Sequence, residues 1–447
     1  SSSSSSSTTN TNTRVFRSIR WGVGSVISGI GFVTSSTISL VTDRRSWKER
    51  YGVPLKALQN FLQHSGVDME LSAALKNRRL GTNLCLLGRT HSAMEERTKR
   101  NNKKELSKSF WVEARRYMRY ATAVYGQSMI RAAELDARGR FSKVKGSVTR
   151  DVISHHIDVP PEDIVWMDVN YDGDANHLRH FIAVDHRHEK VVLSLRGTFS
   201  LGEIVTDVAG FTREFCGGEA HSEMATMAEQ VWRVAGPTVQ QSLNENKGYE
   251  FIITGHSLGA GAACLLTILL ETKQLLPRSQ KMRCFAYAAP PVYTPLEHAP
   301  VASKRTTNFI HQQDAVPYLS VDSVRHLCNT LVAVDDLDQT RMTRRERYQI
   351  ILGMKPVPSH LVRTVLEAKD QNPLEPKEGA PVLYIPADTT VWLQKMKKND
   401  SEDGDYHYST TTSKELVQRG IRVHPDMLLD HFPPRYENAF DHLVEDD

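Results

Sequence analysis

Residues 249–266 narrow the folds open to this chain more than any other stretch. Tyr249-Glu250-Phe251-Ile252-Ile253-Thr254 reads as a buried strand, and it runs straight into the tight turn Gly255-His256-Ser257-Leu258-Gly259. Ala260-Gly261-Ala262-Ala263-Cys264-Leu265-Leu266 then opens an apolar helix. A buried strand that turns directly into a buried helix needs a sheet covered by helices, because each element must hide its apolar surface against another layer. The rest of the chain repeats the alternation. β-rich runs at Ile164–Val169, Phe181–Val184, Val191–Leu195, Cys284–Ala288 and Asn308–His311 are interleaved with helical patterns over Phe110–Leu135, from His221 and from Ala260. The expectation is an α/β fold with a mixed sheet flanked by helices.

The turn also carries chemistry. Glycines on either side of Ser257 remove the Cβ atoms that a sharp strand-to-helix turn would clash with, and the helix that follows offers amides and a positive dipole to a developing oxyanion. A lone Gly-x-Ser-x-Gly is a weak signal, but one set between a strand and a helix is the context a serine nucleophile needs. A serine hydroxyl requires a general base, itself oriented by a carboxylate, and in such folds they follow in the order Ser, Asp, His. Asp314, just past the strand that ends at His311, is the candidate carboxylate. Alone it would read as an ordinary loop aspartate. His431, in the loop before the proline-started helix at Pro433, is the candidate base. His442 falls inside that helix, His311 and His326 are lesser candidates, and His256 reads as a structural residue on the far side of the turn.

Two further readings are attached to the turn. Val191 to Thr198 is a strand entering a turn at Gly197, so the Thr198 amide and hydroxyl are candidates for an oxyanion hole together with the Leu258 amide; by itself this is an ordinary turn. Leu201, Ile204, Val205 and Val208 then recur at helical spacing, with Glu203 and Asp207 between them. They predict a short amphipathic helix, either a lid over the site or an ordinary surface helix.

Composition sets the frame. The 447 residues can bury one large core and still carry appendages. A net charge of +4 gives no global nucleic-acid surface, and no nucleic-acid partner is expected. The five cysteines lie in no metal-binding or paired spacing and read as reduced, mostly buried thiols. Residues 1–45 hold a Ser/Thr/Asn tract and the uncharged stretch Trp21–Thr42, which is compatible with a single membrane anchor, an organellar presequence or neither. Residues 46–104 read as a helical extension ending in the basic linker Arg97–Lys104, and 105–447 as the catalytic domain. Asp168-Val169-Asn170-Tyr171-Asp172-Gly173-Asp174 imitates the start of a calcium loop, but its twelfth position is Arg179, so a β-hairpin turn is expected.

Taken together, VVLSLRGTFSLGEIVTDV (191–208), FIITGHSLGAGAACLL (251–266), CFAYAAPPV (284–292), NFIHQQDAVPYLS (308–320) and DHFPPRY (430–436) resemble class 3 (fungal-type) lipases, and more closely their intracellular sn-1-specific diacylglycerol lipase branch. The resemblance covers about residues 108–440. It implies an α/β-hydrolase-type sheet with a lid helix, and acyl-enzyme chemistry on diacylglycerol or a related glycerolipid at a membrane surface. In that reading Ser257, Asp314 and His431 form the triad, Thr198 and Leu258 are oxyanion donors, and no metal or organic cofactor is needed. A phospholipase A1 or other carboxylesterase, and an inactive lipase-like scaffold, are the alternatives. Two departures stand out: Ala220-His221-Ser222-Glu223-Met224 differs from the usual pattern there, and Tyr318 stands where arginine is common. The long stretch between Asp314 and His431 contains an insertion at 329–380, resembling in position the regulatory insertion of diacylglycerol lipases. Its segment Thr340–Met354 is basic with an apolar end, either a lipid-headgroup contact or a solvated excursion. Pro381–Pro386 is expected to return as a strand.

Overall fold

The computed structural model describes residues 80–95, 105–127, 129–130, 148–169, 177–197, 212–371, 381–395, 406–424 and 426–445. All fall within one unit, Val53–Asp447. The strands among them are β1 (Trp166–Asp168), β2 (His180–Asp185), β3 (Lys190–Leu195), β4 (Thr212–Phe215), β5 (Gly218–His221), β6 (Glu250–His256), β7 (Met282–Tyr287), β8 (Tyr293–Thr294), β9 (Thr306–His311), β10 (Thr389–Lys395) and β11 (Tyr406–Thr411).

Among the described residues, eight strands form the main sheet in the order β1-β2-β3-β6-β7-β9-β10-β11. β3, β6, β7, β9 and β10 run parallel, and antiparallel pairs close both edges. β6 lies inside the parallel part, and its burial from Phe251 to His256 explains why its sequence is continuously apolar rather than alternating. This is the mixed, helix-flanked sheet of α/β-hydrolase type that the sequence predicts. β4, β5 and β8 make a separate three-stranded antiparallel sheet.

The helix Lys108–Ala123 covers one face. Ser107 caps it by accepting the Phe110 N–H, and Trp111, Ala114, Tyr117, Met118 and Ala121 turn inward at helical spacing. They join Phe181, Val192, Ile252, Phe285 and Phe309 of the sheet and Tyr436 and Phe440 of the C-terminal helix Pro433–Glu445 in one core cluster. Each large side chain so buried contributes about 1.5–3 kcal/mol. The helix that the sequence predicts through Leu135 is interrupted: it stops at Ala123, Gly126 takes a positive φ of 86°, Gln127, Met129 and Ile130 are again helical, and residues 131–135 lie outside the described residues. Apolar spacing continued past a residue that turns the backbone, and the turn won. The helix after Ser257, Leu258–Lys273, is buried through Leu270 and packs with Ser222–Glu245 on the sheet.

The excursion between β9 and β10 is helical and opens at Val321, ahead of residue 329, with helices Val321–Arg341, Arg344–Ile351 and Ser359–Gln371. Helix Leu80–Glu95 packs against all three, with Asn83 donating to Asp335 at 2.9 Å. This helix, read from sequence as part of a separate extension, is thus joined to the excursion. In the basic segment, a Thr343/Glu346 capping box starts the helix, and Tyr348 stays 59% exposed. Pro381–Pro386 is not a strand. Only Tyr384 makes an isolated bridge, to Tyr293, and the sheet is continued by Thr389–Lys395 and Tyr406–Thr411. Prolines lack the N–H that a ladder needs, and the β-branched and aromatic Thr-Thr-Val-Trp run just downstream supplies it. β1 and β2 pair antiparallel around the calcium-loop imitation, whose residues 170–176 lie outside the described residues. No helix among the described residues is long and apolar enough to cross a membrane, and Trp21–Thr42 lies outside them.

Candidate active site

β6 delivers its last residues to the end of the parallel sheet, and Ser257 sits between strand and helix with φ 61° and ψ −128°. A non-glycine residue in that region is strained, and surrounding contacts must hold it there. Its N–H donates to the Tyr287 carbonyl at 2.9 Å. Gly255 and Gly259 make the turn possible: a Cβ on Gly255 would strike the Gly259 backbone, and one on Gly259 would strike the backbone of Leu195 and Arg196. Gly197 is pressed just as closely against His256 and Ser257.

Three side chains separated by long stretches of sequence meet here. The Ser257 Oγ lies 2.9 Å from His431 Nε2. His431 Nδ1 lies 3.0 Å from both Asp314 oxygens. A carboxylate only accepts, so Nδ1 carries the proton and Nε2 presents its lone pair to the serine hydroxyl. Asp314 follows β9, and its own oxygens accept the Val316 N–H at 2.9 Å and the Tyr436 hydroxyl at 2.6 Å. These donors compensate a carboxylate that is fully buried, as is Ser257.

Leu258 begins the helix after the turn, where amides have no acceptor within the helix. Thr198 and the predicted lid positions Leu201, Ile204, Val205 and Val208 lie outside the described residues. Gly197, just before Thr198, is described, and its N–H donates to the Tyr125 hydroxyl at 3.1 Å.

The other histidines are placed elsewhere. His256 Nδ1 meets the Tyr125 hydroxyl at 3.1 Å and its Nε2 meets the His431 carbonyl at 2.7 Å, so neither nitrogen serves Ser257. Burial, reinforced by the nearby His431, holds His256 well below the usual histidine range. His311 bonds the Asp430 carbonyl and the Tyr406 hydroxyl, and burial pushes it down to about 3. His442 stacks on Tyr406, and His326 shares a small cavity with His91 and Arg422. Tyr436 and Tyr125 are the contributors that sequence reasoning missed. Tyr436 stands within the quoted DHFPPRY stretch, and only the fold reveals that it reaches Asp314.

His221 caps the helix Ser222–Glu245, its Nδ1 accepting the Met224 N–H, so the departure at Ala220–Met224 is accommodated as a helix start. Tyr318, in the short turn Val316–Tyr318, is buried beside Arg419. The five cysteines are free thiols; Cys264, Cys284 and Cys328 are buried, and Cys85 and Cys216 are partly exposed.

Residues 192–324 match the family model for Lipase (class 3). The matched stretch takes in Gly197, Ser257 and Asp314, while His431 falls beyond it. Mouse diacylglycerol lipase-beta is 27% identical over 179 residues, covering 38% of this chain and 26% of that protein. Human diacylglycerol lipase-alpha is 28% identical over 186 residues, covering 39% and 17%. Secreted mono- and diacylglycerol lipase A of Penicillium cyclopium is 31% identical over 155 residues, covering 33% and 48%. The chain therefore matches well under two thirds of the length of these relatives. Among solved structures, the lipase from Rhizopus microsporus var. chinensis aligns with a TM-score of 0.39 at 18% identity, covering 49% of this chain and 73% of that one.

Proposed function

We propose that the chain is a serine carboxylic-ester hydrolase that cleaves an acyl ester of diacylglycerol or a related glycerolipid. The observation that carries the reading is the unbroken line from Ser257 Oγ through the two nitrogens of His431 to Asp314, at 2.9 and 3.0 Å. In this reading the serine oxygen attacks the ester carbonyl as His431 Nε2 takes its proton. Asp314 keeps Nδ1 protonated and stabilises the imidazolium. The negative charge on the tetrahedral oxygen meets the Leu258 amide at the head of the helix, with Thr198 proposed as the second donor. His431 returns its proton to the departing glycerol oxygen, and water repeats the sequence on the acyl-enzyme to release the fatty acid. The substrate class is drawn from the relatives, which are named as lipases of mono- and diacylglycerols.

A fluorophosphonate probe tests the nucleophile directly. Wild-type protein is expected to label in a 1:1 ratio and Ser257→Ala not at all; equal labelling of the two would remove Ser257 from the mechanism.

A further inference from the structure

His256 and Tyr125 lie outside the triad, yet they connect the three places from which the reactive groups come. Gly197 N–H donates to the Tyr125 hydroxyl at 3.1 Å, that hydroxyl lies 3.1 Å from His256 Nδ1, and His256 Nε2 lies 2.7 Å from the His431 carbonyl. With the imidazole neutral, the two ends fix the protons between them. A backbone N–H can only donate and a carbonyl can only accept, so the Tyr125 hydroxyl accepts from Gly197 and donates to Nδ1, while Nε2–H donates to His431. A neutral imidazole with its proton on Nε2 satisfies every group in the row. A charged one would present Nδ1–H to the tyrosine oxygen and leave the tyrosine proton without that acceptor.

Burial favours the same neutral state. His256 is 2% exposed and Tyr125 3%, and burial, followed by the neighbouring His431, lowers the affinity of His256 for a second proton. The His256 and His431 rings stand 4.7 Å apart, so a second cation there would oppose the imidazolium that His431 must form. Gly197 has room for no side chain on this side, because a Cβ would run into the His256 carbonyl and the Tyr125 hydroxyl. The turn after β3, the nucleophile turn and the His431 loop are therefore clamped through two side chains.

We propose that His256 and Tyr125 are positioning residues that hold the His431 backbone and the Gly197 turn in register with Ser257. The inference rests on the hydrolase reading above and goes beyond it. Neither residue touches the reacting atoms. Their effect is expected on kcat and not on KM, because small misplacements of the base cost turnover and leave ground-state binding intact.

The test uses the full chain and a soluble p-nitrophenyl ester, with kcat and KM measured for wild type, His256→Leu, His256→Gln and Tyr125→Phe. Glutamine keeps one acceptor and one donor at comparable spacing; leucine keeps neither. His256→Leu is expected to lower kcat about 100-fold with KM within about threefold, and His256→Gln to recover at least tenfold of that loss. Tyr125→Phe, which leaves the His256 bond to His431 in place, is expected to lose about tenfold in kcat. A folded His256→Leu with kcat within twofold of wild type overturns the proposal, as does glutamine performing no better than leucine. Should the leucine variant not fold, Tyr125→Phe decides: wild-type kcat overturns the proposal and a selective loss of kcat supports it. A wild type that neither turns over ester nor labels with fluorophosphonate overturns the hydrolase reading and this inference with it; a reactive wild type with unaffected variants overturns this inference alone.

Discussion

Tyr436 donates its phenolic proton to Asp314 Oδ2 at 2.6 Å, and the Tyr436 hydroxyl oxygen in turn accepts the His311 N–H at 3.0 Å. One fully buried hydroxyl thus ties the helix Pro433–Glu445 to the end of β9 and to the carboxylate behind His431. Removing it leaves a buried N–H without an acceptor and a buried carboxylate short of a donor. Tyr436→Phe is expected to cost about 1–3 kcal/mol of stability and about tenfold in kcat. Denaturant unfolding and ester turnover on the same preparation check both.

Asp314 is expected to act by fixing the tautomer of His431. In Asp314→Asn the amide can present its NH2 to Nδ1, which moves the ring proton to Nε2 and removes the lone pair that faces Ser257. The fold should survive, while kcat falls by about 10⁴. A thermal transition near wild type together with a small loss of kcat would assign Asp314 a structural role only.

Gly259 lies in the first turn of its helix, against the Leu195 carbonyl and the Arg196 backbone. Both obstacles are main chain and cannot swing aside. Gly259→Ala is expected to destabilise the protein by about 3 kcal/mol through overpacking. The midpoint of urea unfolding measures it, and an unchanged midpoint would mean that the strand end yields.

Asp430, next to His431, has its carboxyl pushed up to about 7, chiefly by burial and then by the charge of Asp426. Its folded-state affinity for a proton is raised above the unfolded value of about 4. The stability it contributes is therefore fully present below pH about 4 and lost as the pH rises through about 7. Asp430→Asn keeps an acceptor for the Gln313 N–H, which now bonds Oδ2 at 3.2 Å, and removes the ionisation. Thermal unfolding at pH 5 and pH 8.5 should show a smaller drop for the variant than for wild type. Equal drops would mean that the carboxyl is already ionised in the fold near neutral pH.

The main strands around the nucleophile turn were readable because each is a short apolar run bounded by turn residues, and β6 passes into its helix with no loop to obscure the change of period. The placing of Asp314 and His431 beside Ser257 followed from reading each as a loop residue after or before a regular element. Other features depend on partners far along the chain. Tyr125 meets a residue 131 positions away and His256 one 175 positions away, so no local pattern signals the row that they form. Thr389–Lys395 competed with the proline-bounded run before it, and only pairing with β9 decides between them. Helix Leu80–Glu95 has little amphipathic character of its own, and its place is set by the excursion helices it packs against.

The central claim is that Ser257, driven by His431, cleaves glycerolipid esters. Fatty acid released from diacylglycerol dispersed in lipid vesicles, compared between wild type and Ser257→Ala, tests it most directly. The account predicts steady release by wild type and none above background by the variant; release that is equal in both, or turnover confined to soluble short-chain esters, would contradict it.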